Sequence, residues 1–206
     1  SNPDERTERV AWLFPGQGSQ YHGMFDSFVA TEPAAARALA VANSILSKHG
    51  HPTFDELAWC QTESLGENVW HTQAAMLVAD WVMLECLRER GYQPTLVSGH
   101  SYGEFAAMLA AGCWDFENAL LATWHRCQSI VKNVPTGCSM LSIHASREKV
   151  AQLIHDESLP LYISHVNAPE QIVVGGKQAA IAHLSELLDD EGIGTRILAV
   201  PTAFHT

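Results

Sequence analysis

Three patterns in this 206-residue chain predict an α/β fold. Short apolar segments rich in β-branched or aromatic residues end at glycine and lead into Ala- and Leu-rich stretches of helical length. One such junction, Gly99-His100-Ser101-Tyr102-Gly103, reads G-x-S-x-G. From Cys138 onward the texture changes to the order β-α-β-β-α-β. That order is a split, ferredoxin-like unit of roughly sixty residues, a size that suits a subdomain inserted in a larger one.

Taken in order, Val10-Ala11-Trp12-Leu13-Phe14 reads as an apolar strand stopped by Pro15-Gly16. Gly16-Gln17-Gly18-Ser19-Gln20 then forms a glycine-rich loop at a strand's C-terminal end, where open α/β sheets place ligands. It has neither the Gly-Lys-Ser/Thr of a P-loop nor the full G-x-G-x-x-G spacing. Helices are expected over Ala34 to Lys48, closed by Gly50 and Pro52, and over Thr72 to Arg90, closed by Gly91 and Pro94. Thr95-Leu96-Val97-Ser98 is the strand before the G-x-S-x-G turn, and Glu104 to Ala111 the helix after it. Asp115 to Lys132 is a further helix, with Asp115 as its N-cap.

In the later part, Ser139 to His144 reads as a strand and Ser146 to Asp156 as a helix capped by Ser146. Leu161 to Val166 and Gln171 to Val174 are strands around the turn Asn167-Ala168-Pro169-Glu170. Gly175-Gly176 leads into a helix from Gln178 to Asp190, and Thr195 to Val200 is the last strand. The chain then returns to the first domain at Pro201 to His205. The domain reading is therefore 1-137 continued by 199-206, with 138-198 as the inserted unit.

Composition narrows the function classes. At 47% hydrophobic and 17% charged residues the chain is globular material, and no apolar run reaches membrane-spanning length. A formal net charge of −11 opposes a nucleic-acid surface, which needs a basic face. The five cysteines form no C-x-x-C pair, and Cys86 and Cys113 are expected as buried free thiols in a reducing, cytoplasmic compartment. No metal is expected, because the eleven histidines make no H-E-x-x-H or comparable cluster.

G-x-S-x-G between a strand and a helix is the pattern of a nucleophile elbow. Its glycines permit a tight, strained turn that lifts the Ser101 Oγ clear of the sheet and aims backbone N–H groups at a developing oxyanion. Composition alone yields the motif in roughly one chain in fifteen of this length. The partners elsewhere therefore decide its meaning.

Phe14-Pro15-Gly16-Gln17-Gly18-Ser19-Gln20, Gly99-His100-Ser101-Tyr102-Gly103-Glu104 and Ala203-Phe204-His205 together resemble the malonyl-CoA:acyl-carrier-protein acyltransferases. That family includes stand-alone enzymes and synthase domains, and the sequence leaves open which this is. The resemblance covers nearly the whole chain. It implies an α/β-hydrolase-like large domain with the ferredoxin-like subdomain inserted, and ping-pong acyl transfer. By that resemblance Ser101 is the nucleophile and His205 its general base. The backbone N–H groups of Gln17 and Tyr102 form the oxyanion hole. Arg126, Gln73, Phe204 and His100 bind the substrate.

Arg126 stands nine residues before Pro135, the family's spacing from a Val-Pro, here Val134-Pro135. A guanidinium fork there selects malonyl-type over plain acyl donors. Phe204 resembles the malonyl-preferring version, while Thr202 departs from the commoner histidine. Tyr102 departs from the usual small aliphatic residue and resembles iterative synthases. Asn167 matches a residue of the small subdomain. No bound cofactor is expected, since CoA and phosphopantetheine arrive with the substrates. Malonyl-CoA, an acyl carrier protein and neighbouring synthase domains are the implied partners, with no nucleic acid and no membrane. The family's fold continues past its histidine, so a C-terminally truncated member is expected, with the segment that orients the imidazole lying beyond Thr206. An acyl hydrolase clearing stalled carriers, a general esterase and a non-catalytic docking fragment are the competing readings. Arg126 opposes the hydrolase, and the G-Q-G-S-Q loop opposes the esterase.

Overall fold

The computed structural model describes residues 9–60, 64–133, 137–198, 200 and 202–206. The polar N-terminal residues 1–6, the Val134-Pro135 landmark, Ala199 and Pro201 lie outside the described residues. Contacts divide the chain into two units, Ser1–Ser129 and Ile130–Thr206.

The first unit is built on two parallel strands. Strand β1 (Ala11–Phe14) pairs with β2 (Leu96–Gly99) in the register Ala11↔Leu96 through Phe14↔Gly99. Helices α1 (Asp26–Thr31), α2 (Pro33–Lys48) and α3 (Phe54–Ala58) follow β1. Proline at the first turn of α2 loses no helical hydrogen bond. The Thr53–Glu56 capping box starts α3. A single turn, α4 (Ser64–Glu67), is interrupted by non-helical Leu65 and Gly66.

Helix α5 (Val69–Glu89) begins three residues earlier than the apolar pattern predicts. The reason is a cap: Asn68 Oδ1 accepts from the His71 N–H at 3.0 Å. Residues 72 to 79 of α5 are buried without interruption, so no polar stripe marks this helix. Helix α6 (Gly103–Ala110) follows the elbow. In α7 (Phe116–Asn133), Asp115 caps as expected, its Oδ1 accepting from Asn118 N–H at 2.8 Å. Cys86 is buried, but Cys113 is exposed, because it lies in the turn beyond α6 rather than on a helix.

The second unit follows the β-α-β-β-α-β order. Its elements are β3 (Cys138–Ile143), α8 (Arg147–Asp156), β4 (Leu161–Ala168), β5 (Gln171–Lys177), α9 (Gln178–Asp190) and β6 (Thr195–Ile197). The sheet order is β4-β5-β3-β6 and every pair is antiparallel. Leu141, Ile143, Ile172 and Val174 of the sheet pack with Ile181 and Leu184 of α9 in the core. Ser146 Oγ caps α8 by accepting from Lys149 N–H at 3.2 Å.

Two expectations change here. Gly175 and Gly176 lie inside β5 rather than after it, paired with Met140 and Ser139 of β3. A Cβ on Gly176 would come within 2.6 Å of Leu161 Cδ2. One on Gly175 would come within 2.7 Å of Thr206 Cγ2 and 3.1 Å of Ala203 Cβ. These glycines are a close-approach site in a strand, not a break. Residues 202–206, grouped with the first domain on sequence, cluster with the second unit, where Ala203 and Thr206 lie against Gly175.

Candidate active site

Backbone sterics fix the elbow. Ser101 has φ of 54°, the left-handed region that a non-glycine residue enters at a cost of about 1–3 kcal/mol. A Cβ on Gly99 would collide with the Gly103 carbonyl carbon and the Glu104 nitrogen. One on Gly103 would collide with the Phe14 carbonyl oxygen. Both glycines are therefore required by close approach of main chain to main chain. The turn is sealed by Gly103 N–H to His100 O at 3.0 Å and His100 N–H to Phe14 O at 2.9 Å. Ser101 sits half-buried just before α6, and His100 is exposed beside it.

The glycine-rich loop lies against this turn. A Cβ on Gly16 would approach His100 O at 2.5 Å and His100 Nδ1 at 2.8 Å. Ser19 Oγ donates back to Gly16 O at 3.0 Å, and Gly18 N–H donates to Gln20 Oε1 at 2.7 Å. Among the described residues the main-chain N–H groups of Gln17 and Tyr102 have no acceptor.

A polar chain runs from the loop to α7. Gln17 Oε1 accepts from Gln73 Nε2 at 3.0 Å. Gln73 Oε1 accepts from Arg126 Nη1 at 2.8 Å and from the Cys127 thiol at 3.2 Å. Gln73 is fully buried, and these bonds use both ends of its amide. Burial pushes the Cys127 thiol up to about 12, so at neutral pH it stays a donor.

Arg126 is half-buried, with its guanidinium carbon 5.7 Å from the Tyr102 ring centre and 5.8 Å from that of Phe105. Those two rings stack at 5.2 Å. Arg126 forms no ion pair with any described carboxylate. A guanidinium carries five N–H donors, and among the described residues the bond to Gln73 occupies one. A partly buried cation held on aromatic faces without a counter-ion is a ready receptor for a carboxylate.

Contacts within the first unit thus link Gln17, His100, Ser101, Tyr102, Gln73 and Arg126. His205 and Phe204 belong to the second unit. His205 is exposed, with φ of 58°, and its ring stands edge-on to that of His165 at 4.8 Å. No motif singled out His165. Ser164 Oγ donates to Val173 O at 3.0 Å and is 3.0 Å from His165 Nδ1. With the only Ser164 hydroxyl proton directed at Val173, His165 Nδ1 carries a hydrogen of its own. Phe204 is half-buried and Asn167 is exposed at the end of β4.

A pocket of about 470 Å³ lies elsewhere in the first unit, lined by β1, the following loop and the α5 residues Met76, Asp80, Met83 and Leu87. Burial raises the Asp80 carboxyl to about 7, and its Oδ2 has no partner among the described residues. The pocket is lined by Pro15, Ser19 and Gln20 but by none of Gln17, Gln73, Ser101 or Arg126. Among the described residues no helix is long and apolar enough to cross a membrane.

A family model described as acyl transferase domain matches residues 11–206. The chain is 31% identical over 198 residues to a mycoketide-CoA synthase of Mycobacterium tuberculosis, covering 96% of this chain and 5% of that protein. An acyl-carrier-protein S-malonyltransferase of Burkholderia pseudomallei superposes with a TM-score of 0.84 at 30% identity, covering 97% of this chain and 65% of the other. A malonyl-transacylase solved with its type II polyketide synthase acyl-carrier protein gives 0.84 at 27% identity, covering 95% and 64%. This chain thus spans less than two thirds of each of these three proteins.

Proposed function

The chain belongs to the acyl transferase domain family, and from that premise we propose that it carries a malonyl group from CoA to the phosphopantetheine thiol of an acyl carrier protein. In this reading an α/β-hydrolase-like core presents the nucleophile and the β-α-β-β-α-β unit is a ferredoxin-like insertion. The observation that carries the reading is Arg126, a half-buried guanidinium held by Gln73 and two rings with no carboxylate among the described residues. The malonyl carboxylate would supply the missing anion, gripped through the remaining N–H donors. An acetyl donor has nothing to offer there.

The chemistry follows from the elbow. Ser101 Oγ attacks the thioester carbonyl carbon while its proton passes to the His205 imidazole, a base of the kind that contributes about 10²- to 10⁴-fold. Negative charge moves to the carbonyl oxygen, where the N–H groups of Gln17 and Tyr102 are its donors. Collapse expels the CoA thiolate, which takes the proton from His205, and leaves a malonyl ester on Ser101. The carrier's thiol then repeats the sequence in reverse, its proton going to His205 and the Ser101 oxygen leaving. Polyketide and fatty-acid chain building are the settings this reaction serves. The transacylase solved with its carrier protein supports such a partner.

Intact-mass spectrometry after incubation with malonyl-CoA tests this reading. A malonyl adduct on the chain, absent in Ser101→Ala, is the expected result. No adduct from either malonyl-CoA or acetyl-CoA would overturn it, and free malonate released without carrier would point to a hydrolase.

A further inference from the structure

Tyr102 enters the site twice. Its backbone follows the nucleophile, as the G-x-S-x-G pattern dictates, and its side chain packs in the protein interior. The phenol is buried, with its oxygen 2.9 Å from Thr123 Oγ1. Thr123 Oγ1 already donates to Ala119 O at 2.8 Å, so its single proton is engaged and the Tyr102 hydroxyl must be the donor. Burial also drives the phenol far up from its ordinary value, and it remains a donor at every physiological pH. Thr123 and Arg126 are three residues apart on α7, a spacing that places both on one face of the helix. The ring anchored at Thr123 therefore lies beside the Arg126 guanidinium, 5.7 Å from its carbon. On its other contact it stacks with Phe105, which packs in turn on Trp114 at 5.2 Å.

We propose that the Tyr102 side chain is a positioning residue for donor selection, holding Arg126 in register with the elbow through its ring, which the bond to Thr123 anchors. This rests on the malonyl-transfer reading above. A short aliphatic residue at this place would leave the nucleophile turn intact but give α7 neither the hydroxyl anchor nor the aromatic face. The guanidinium would then keep its Gln73 bond and the Phe105 face but lose the Tyr102 ring, and sample other rotamers. Selectivity would fall, since a carboxylate gripped in the wrong place no longer aligns the thioester with Ser101.

Two measurements on the full chain test this. The first is the ratio of malonyl to acetyl loading for Tyr102→Phe, Tyr102→Leu and Thr123→Val. Tyr102→Leu should lower the ratio about tenfold, chiefly through a raised KM for malonyl-CoA. Tyr102→Phe and Thr123→Val, which keep the ring beside Arg126 but lose its anchor, should lower the ratio less than Tyr102→Leu. The second needs no turnover: labelling of Arg126 by phenylglyoxal, read by peptide mass spectrometry against Arg88 on α5. Arg126 labelling relative to Arg88 should rise several-fold in Tyr102→Leu and little in Tyr102→Phe. Equal loss of malonyl and acetyl loading, or unchanged relative labelling of Arg126, would overturn the proposal. If the wild-type chain loads no acyl group, the transfer reading fails, and the labelling result still decides whether Tyr102 holds Arg126.

Discussion

The elbow of the first unit and the sheet of the second unit are specified by different physics. Around Ser101, glycines are dictated by main-chain collisions, a positive φ is held in place, and a fully buried glutamine has both amide ends bonded. In the second unit, Leu141, Ile172, Val174 and Leu184 meet in an ordinary apolar core whose backbone polarity is satisfied by antiparallel ladders. The first arrangement tolerates almost no change of shape. The second responds mainly to volume. Sites of chemistry are expected where local geometry is over-determined, and scaffolds where burial alone suffices.

Glycine substitutions probe the contrast most strongly. Gly99→Ala places a methyl against backbone atoms of residues 103 and 104, so loading of Ser101 should fall more than 100-fold, with loss of thermal stability. Gly175→Ala meets the ends of Thr206 and Ala203 instead, and a loss of loading as large as that of Gly99→Ala would erase the distinction. Next in size is Leu184→Ala. It should cost about 2–5 kcal/mol in denaturant unfolding without changing the ratio of malonyl to acetyl loading.

Much of this was legible in the sequence, and the reasons are local. Gly99 and Gly103 announce themselves because no residue with a Cβ fits those places in the turn. The helix after Ser146 was readable because its cap is a neighbour in sequence. The start of α5 at Val69 was missed because Asn68 precedes the apolar run by several residues. Gly175-Gly176 read as a strand end, since nothing in the sequence shows that residues near 205 approach β5. The contacts Tyr102–Thr123 and Gln73–Arg126 span 21 and 53 residues, and only the packing of α5, α6 and α7 brings them together. The exposed state of Cys113 was missed for a simpler reason: an apolar neighbourhood in sequence is not burial.

Smaller effects separate the two regions by pH. Asp80 ionises at about 7 in the folded state and near 3.8 when unfolded, so the folded state binds the extra proton between those values. Stability should therefore fall as pH rises through that window, by about 1.4 kcal/mol per pH unit from this group. Asp80→Asn should flatten that slope in unfolding measured from pH 5 to pH 8; an unchanged slope would show that the carboxyl is not buried as described.

Smallest is an acid effect. Burial, with His49 and His71 nearby, lowers His51, whose ring packs 4.5 Å from Trp70 and 4.7 Å from Trp124. Burial lowers His71 as well. Both are harder to protonate in the folded state than in the unfolded one, so their stabilising effect is complete above about pH 6.5 and is lost as pH falls below it. His51→Phe should keep the aromatic packing and reduce the drop in Tm between pH 7.5 and pH 5.

The most direct test of the central claim is the loading of wild type and Arg126→Ala with malonyl-CoA and acetyl-CoA, followed by intact mass. Loss of a bidentate carboxylate grip is worth about 1.5–3 kcal/mol, so malonyl loading of the variant should fall about tenfold to a hundredfold while acetyl loading changes little. Equal losses for both donors would contradict the assignment of Arg126 as the receptor of the malonyl carboxylate.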